Sequence, residues 1–540
     1  MSADADAESA VAFAAPAALF VAARLVNMVV GLAMIPLLIH SLGGHGFATW
    51  TILLSCAAVF NELQLGMHTA LVRAVAIADR SEPATVARLW SSAAAFLVAI
   101  HLLALPLIFL LARPLGRWLR LPDIGPWHPG TAIVVVFLAV GARAVLVTGM
   151  FSLFAATRFR SVAALSLAQA MTSNVAATLI AWRSRDVAAT LLGFWAAQLL
   201  VVGAGFFIAR NMGWRPRPTL VSGSLIRELL GYGVRVQLAE WAQIVNFQFD
   251  KFVIVRLLGL WPAALYEVSN RSVLALRSIP SGGMDTFLPV ATQRSAGDVD
   301  GNGAARRMAL VALYGIVLFF AAPLVVAPVF LYAWVGEMGY VSRHVFAYLV
   351  VGAATNLLAL PLATLAQAAG RPEVQARAAA ASILLNIPLS LTLVRIWGVE
   401  GAALGSSIAM VLGMGVLLRE ARIALGQGVV STVAGTMGRH WPLALACLAW
   451  GTAVHVGFGR WYLGAGAPVR YGLDTRAYAG GTALALYVAC LLTLLLIKLR
   501  LGGFEADERQ LFARVADMVR IRRPESDVRV TARRTAPRQP

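Results

Sequence analysis

Hydrophobic stretches long enough to cross a bilayer follow one another through almost the whole chain, joined by short connections. Clean examples are Ala18–His40, Trp90–Ala112, Thr131–Ala155, Leu310–Trp334, Val374–Ile396 and Ala477–Leu499. A helix rising about 1.5 Å per residue needs about 20 apolar residues to span about 30 Å of hydrocarbon. About fourteen segments meet that requirement, and no stretch remains for a large soluble domain. Barrel strands would alternate with period two, whereas these runs are unbroken, so backbone polar groups must be satisfied within helices. The predicted fold is an all-α polytopic membrane protein. Composition carries the same reading: 59% of residues are hydrophobic and 13% charged, against about 25% charged in soluble domains.

The net charge of +19 lies where orientation charge is expected and does not form a nucleic-acid footprint. Even-numbered connections carry Arg73, Arg80 and Arg88, then Arg158 and Arg160, then Arg210, Arg215, Arg217 and Arg227. Odd-numbered connections such as Ser41–Gly46 and Gly259–Ala263 have neither Lys nor Arg, although Arg113, Arg117 and Arg120 weaken the contrast. With the basic tail, this asymmetry predicts two cytoplasmic termini. The acidic start, MSADADAESA, lacks the basic region of a secretory signal and reads as a cytosolic lead-in. From Phe504 to Val519, apolar residues recur at helical spacing among Arg509, Arg514 and Arg520. That segment reads either as an amphipathic helix on the anionic leaflet or as a solvated tail. The three cysteines, Cys56, Cys447 and Cys490, are widely separated within predicted spans and suggest neither a disulfide framework nor a metal cluster.

The chain also repeats itself. Gly66-Met67-His68-Thr69-Ala70-Leu71 is echoed by Gly283-Met284-Asp285-Thr286-Phe287-Leu288, and Leu42-Gly43 by Leu258-Gly259. A third echo sets Ala155-Ala156-Thr157-Arg158 against Ala368-Ala369-Gly370-Arg371, with Asn174 and Asn386 following at similar distances. The offset corresponds to six spans, an even number, so both halves enter the membrane in the same sense. This predicts two six-helix lobes about a pseudo-two-fold axis along the membrane normal, with a cavity where they meet. The expected organisation is a cytosolic lead (1–17), an N-lobe (18–210) and a cytoplasmic linker (211–225). A C-lobe (226–422), two further helices (440–500) and a basic cytoplasmic tail (501–540) follow.

The repeat-bearing segments carry a further pattern. Ile35-Pro36-Leu37-Leu38-Ile39-His40-Ser41-Leu42-Gly43-Gly44-His45-Gly46-Phe47, followed by Leu65-Gly66 and Ala70-Leu71-Val72-Arg73, resembles the first helical hairpin of Wzx-type polysaccharide flippases. These belong to the multidrug/oligosaccharidyl-lipid/polysaccharide (MOP) exporter superfamily. Asp250-Lys251-Phe252-Val253-Ile254, Leu258-Gly259, Tyr266, Arg271, Pro280 and Pro289 are similar to the family's central region. Ala368-Ala369-Gly370-Arg371-Pro372, Asn386 and Gly398-Val399-Glu400-Gly401-Ala402-Ala403 extend the likeness, which covers about residues 18 to 420. The resemblance implies movement of undecaprenyl-pyrophosphate-linked oligosaccharide (an O-antigen, exopolysaccharide or capsule repeat) across the bacterial inner membrane by alternating access. It implies no cofactor beyond coupling to an H+ or Na+ gradient. The partners implied are membrane lipids, a polysaccharide polymerase and a chain-length regulator, with no nucleic acid.

Charges at membrane depth are costly and should face a cavity or a partner. Arginine suits a pyrophosphate because its planar donors pair with phosphate bidentately and stay charged. Arg24 lies about 10 Å into the first helix by helical rise, and Asn27 shares its face at i+3. In the flippases this part of helix one lines the cavity. Arg24, Asn27, Arg143, Arg235, Arg271 and Arg277 are therefore the substrate-binding candidates, and Glu62, Glu240 and Asp250 the ion-coupling ones. Glu240, Gln243 and Asp250 make one polar stripe in the seventh span. Glu267 and Arg271, at i and i+4 in the eighth, read more readily as a structural ion pair.

A drug or cation antiporter on the same fold and a lipid II flippase are the alternatives. Several intramembrane arginines favour an anionic cargo over a cationic one. A polyprenyl-dependent glycosyltransferase or polymerase would need a sizeable extramembrane domain, and Asp298-Val299-Asp300 resembles a metal-binding DxD in letters only, within a Gly-rich turn. A non-enzymatic transporter is the expectation.

Overall fold

The computed structural model describes residues 2–78, 83–156, 158–212, 214–285, 301–369, 371, 373–440 and 473–500, with parts of 442–457 and residues 508–509. Within those helices it describes backbone but not side chains at 2–25, 27, 235, 236, 238–240, 242–247, 282–285, 301–304, 368 and 473–478. Nine helical segments among the described residues are long and apolar enough to cross a membrane. Their outward faces are apolar: Leu103 on Pro83–Trp118 is 76% exposed and Leu384 on Glu373–Leu425 73%. A solvent-facing belt of this kind belongs against lipid.

The N-terminal half comprises α1 (Ser2–Asn61), α2 (Met67–Ile77), α3 (Pro83–Trp118), α4 (Pro129–Leu146), α5 (Thr148–Ala155), α6 (Phe159–Ser184) and α7 (Val187–Asn211). The C-terminal half begins with α8 (Gly223–Leu258) and α9 (Leu260–Asp285). It continues with α10 (Gly301–Ile316), α11 (Ala322–Val335), the short α12 (Glu337–Val341), α13 (Arg343–Ala368) and α14 (Glu373–Leu425). Helices α15 (Gln427–Gly438) and α16 (Leu473–Arg500) follow. Two of these helices are folded hairpins. Gly43 (φ 72°) breaks α1, and Trp397 with Gly398 (φ 61°) breaks α14.

The repeat is visible in backbone geometry. Gly43 and its echo Gly259 (φ 95°) both take positive φ at a reversal between two apolar arms, a conformation only glycine adopts without strain. The Arg158 amide donates to Leu153 O at 3.0 Å and the Arg371 amide to Ala366 O at 2.8 Å. Both bonds span five residues, the closing bond of the same helix-ending turn. The Gly283–Leu288 copy runs into residues outside the described set; its partner, Gly66, follows a break in which Leu65 is also left-handed.

The halves touch near both ends. Trp334 Nε1 donates to Leu32 O at 3.2 Å, and the His45 and Trp261 rings lie 6.2 Å apart. Toward the other end Arg73 stacks over Tyr232 at 4.5 Å, and Gly66 meets Gly233 backbone to backbone. A Cβ on Gly66 would sit 2.1 Å from the Gly233 carbonyl, so that contact tolerates no side chain.

Between α10 and α11 the helix widens into a π turn, Val317–Ala321, just before Pro323. Proline lacks the N–H that would bond the Phe319 carbonyl, and a wider turn absorbs the mismatch. This bend borders an apolar groove of about 1180 Å³, whose walls include Leu32 and Pro36 of α1, Leu276 of α9, Phe319 of the bend, Phe330 of α11 and Leu484 of α16. Helix α16 packs Ala479, Ala483 and Cys490 against Val325, Val329 and Tyr332 of α11. Of the tail helix expected over Phe504–Val519, only Glu508 and Arg509 are described. Glu508 is fully buried and accepts from Tyr314 Oη (2.8 Å) and Lys498 Nζ (2.9 Å).

Candidate functional site

Helix α8 carries Asp250 at 0% exposure, and α9 returns alongside it across the Gly259 turn. That reversal sets two adjacent pairs opposite each other. Tyr266 Oη donates to Asp250 Oδ2 at 2.9 Å, and Lys251 Nζ pairs with Glu267 Oε2 at 2.7 Å. Both arms of α14 complete the first cluster. Ser390 Oγ donates to Asp250 Oδ1 at 2.6 Å, and Ser406 Oγ donates to Asp250 Oδ2. Asn386 Oδ1 lies 2.9 Å from Ser390 Oγ and 3.2 Å from Ser406 Oγ.

This cluster has more acceptors than protons. Each serine hydroxyl lies within bonding reach of both a carboxylate oxygen and the Asn386 carbonyl, yet carries a single hydrogen. Six oxygens, from Asp250, Tyr266, Asn386, Ser390 and Ser406, thus converge around three hydroxyl protons. An oxygen-rich donor set with one carboxylate suits a hard cation, and an added proton on Asp250 would relieve the same shortage.

Beside it lies a charge triad. Glu267 takes Arg271 Nε at 2.6 Å on its other oxygen, so one carboxylate serves two cations and the group keeps a net positive charge. Lys251 and Glu267 are sealed, at 6% and 3% side-chain exposure, whereas Arg271 reaches 26%. The surplus charge is therefore presented at Arg271. Ser272, its neighbour in the chain, lines the apolar groove.

The N-terminal half gathers a second polar centre. Arg143 of α4 donates from Nε to Gln198 Oε1 (3.1 Å) and from Nη1 to Asn61 Oδ1 (3.4 Å). Gln169 Nε2 donates to the same Gln198 oxygen at 3.0 Å. Four helices converge here on a guanidinium whose hydrogen-bond partners, among the described residues, are neutral amides. Glu62, at the α1–α2 break, instead faces across the halves and accepts from Gln237 Nε2 of α8.

The candidates thus divide. Asp250 enters the oxygen cluster, Arg271 the triad, Arg143 the amide centre and Glu62 the contact between halves. Arg277 lines a cavity inside the C-terminal half and is absent from the walls of the groove. The side chains of Arg24, Asn27, Arg235 and Glu240, and of Gln243 in the proposed stripe, lie outside the described residues. Tyr266, Ser390 and Ser406 went unrecognised as site residues in the sequence, because single hydroxyls are common in membrane helices and these come from three separate spans. Gln169 and Gln198 stand out only as amides inside apolar runs.

The profile of the polysaccharide biosynthesis protein family matches residues 45–337. The chain belongs to that family. No curated protein sequence matches it significantly. Among solved structures, a lipid II flippase MurJ in an inward-closed conformation is similar at 12% identity and TM-score 0.60, covering 83% of this chain and 99% of the other. An inward-facing multidrug resistance MATE transporter of the MOP superfamily aligns at 13% identity and TM-score 0.55, covering 78% and 96%. The chain therefore shares the multi-pass, all-helical fold of these two structures.

Proposed function

We propose that this protein flips an undecaprenyl-pyrophosphate-linked oligosaccharide, a repeat unit of a surface polysaccharide, across the bacterial inner membrane by alternating access of its two lobes. The observation that carries the reading is the apolar groove of about 1180 Å³, one of whose wall residues, Ser272, directly follows Arg271 of the positively charged triad in α9. Drug-sized sites are about 300–1,000 Å³ with few charges; a long hydrocarbon bearing an anionic head needs an extended apolar wall next to fixed cations. Arg271 and Arg143, with Arg24 on helix one, supply donors for pyrophosphate and glycan hydroxyls. Arg143 also argues against a drug/cation antiporter, because it puts positive charge inside the N-lobe where a cationic cargo would be repelled.

Coupling runs through Asp250. Its oxygen cluster takes Na+ or H+ from the periplasmic side, and occupancy adjusts the packing of α8, α9 and α14. Both termini lie in the cytoplasm. A polysaccharide polymerase and a chain-length regulator receive the product in the outer leaflet. A lipid II flippase shares the pyrophosphate chemistry and remains the second reading, supported by the fold likeness to MurJ.

The test is replacement of the chromosomal gene by Arg271→Gln and Arg143→Gln variants, followed by leaflet-resolved labelling of the lipid-linked repeat. The reading expects the repeat to accumulate on the cytoplasmic leaflet while surface polysaccharide falls. Normal surface polysaccharide from both variants, at normal protein level, would reject it.

A further inference from the structure

Helix α9 has two working faces. Ser272, Leu276 and Ile279 look onto the apolar groove, whereas Tyr266, Asn270 and Arg277 look into the C-lobe. The spacings i, i+4 and i+11 place this second set along one stripe. The first arm of α14 answers with a stripe of its own. Ser382, Asn386 and Ser390, each four residues apart, are 5%, 0% and 0% exposed. Asn270 Nδ2, Ser382 Oγ and Asn386 Nδ2 are buried without a hydrogen-bond partner. Burying such groups unsatisfied costs free energy, so a polar occupant is expected along the line they make.

Two cavities lie along that line. The smaller, about 10 Å³, roughly one water, is bordered by Tyr266 and Ser406, both bonded to Asp250, and by Asn270 and Arg277. The larger, about 110 Å³, is bordered by Arg277, Asn356, Ser382 and Gln375. Arg277 and Met410 border both. Gln375 lies three positions into α14 and accepts from exposed Gln367 at the end of α13, which brings the line to the α13–α14 turn. That turn carries Arg371 and falls on the cytoplasmic side by the arginine asymmetry. Arg277 contributes an ionised side chain to both linings.

We propose that these facing stripes form a passage for the coupling cation between Asp250 and the cytoplasmic face, and that Arg277 is the electrostatic barrier that keeps it from leaking. The inference rests on Asp250 being the coupling site and adds the inner route and its control. A polar line with a guanidinium bordering both of its cavities admits water but opposes a free cation. The cation crosses only when lobe movement widens the gap between α9 and α14 or shifts the guanidinium. Cation movement is thereby tied to the transport cycle.

The test uses purified full-length protein in liposomes without glycan, reading 22Na+ efflux and internal pH. Arg277→Gln should raise the leak by about tenfold or more, as expected for removing a unit charge a few ångströms from the path, while Arg277→Lys stays near the parent. Adding Asp250→Asn to Arg277→Gln should return the leak to baseline. If Arg277→Gln does not accumulate, Asn356→Asp keeps the arginine, opposes its charge in the same cavity and should also leak. No leak from these variants, or a leak that survives Asp250→Asn, overturns the passage. Gradient-driven glycan flipping measured in parallel separates the two ideas. Loss of gradient dependence in Asp250→Asn alone, without any leak in Arg277→Gln or Asn356→Asp, would leave Asp250 as the coupling site and reject the passage with its barrier. Unchanged gradient dependence in Asp250→Asn would reject the coupling site itself.

Discussion

Glu267→Gln is the most informative single perturbation of packing in this protein. The substitution keeps shape and removes one charge from a carboxylate that holds Lys251 at 2.7 Å and Arg271 at 2.6 Å. Arg271, 26% exposed, can turn toward water, and its share of the loss is that of a surface pair, about 0–1 kcal/mol. Lys251 is only 6% exposed and has no such escape, so its ammonium is left buried without its direct ion-pair partner. Breaking a buried pair in this way costs about 3–5 kcal/mol. That is a large fraction of a typical total of about 5–15 kcal/mol. Thermal unfolding of the detergent-purified protein, followed by tryptophan fluorescence, should show a clear fall in melting temperature. The double variant Lys251→Met with Glu267→Met should recover most of it, because replacing a whole buried pair by apolar groups is close to neutral. Unchanged melting in Glu267→Gln, or no recovery in the double variant, would refute the triad as an element holding α8 to α9.

Further outcomes follow from the same geometry. Arg24→Ala should abolish export at normal protein level and Arg24→Lys restore it only in part, since a point charge replaces a bidentate fork; surface polysaccharide measured against membrane protein content checks this. Tyr266→Phe removes one donor from Asp250 and should cost about 1–3 kcal/mol in stability, read by the same melting assay. Gly66→Ala combines a left-handed φ of 70° with a Cβ that would lie 2.1 Å from the Gly233 carbonyl. The backbone alone costs about 1–2 kcal/mol, and disulfide trapping across the halves should become less efficient. Cysteines placed in Ser41–Gly46 should react with impermeant reagents from the periplasm and those in the tail after Leu501 should not.

The helices and their reversals were legible because bilayer-length apolar runs leave little choice, and because Gly43 and Gly259 announce turns that no other residue makes easily. Asp250 was legible as a carboxylate in an apolar run, and the Glu267–Arg271 pair as an i, i+4 match. What linear spacing could not convey was which helix faces which. Lys251 joins Glu267 only because the Gly259 turn folds α9 back on α8. Arg277 shares a helix with Arg271 yet lies six residues on, about 240° around the axis. That angle moves it from the triad to the interior of the C-lobe, a separation invisible until α13 and α14 are in place. Arg143's surroundings were hidden for a similar reason, since Asn61, Gln169 and Gln198 arrive from three other helices.

The central claim is that the cargo is an anionic lipid-linked glycan moved from one leaflet to the other. Its most direct test is a leaflet assay in proteoliposomes holding the purified protein and a labelled undecaprenyl-pyrophosphate oligosaccharide, with a cationic dye in parallel. Under an imposed Na+ or H+ gradient, the glycan label should become accessible to an impermeant reagent at a rate that falls in Arg271→Gln, while the dye stays where it was loaded. Dye movement with the glycan confined to its original leaflet would contradict the account.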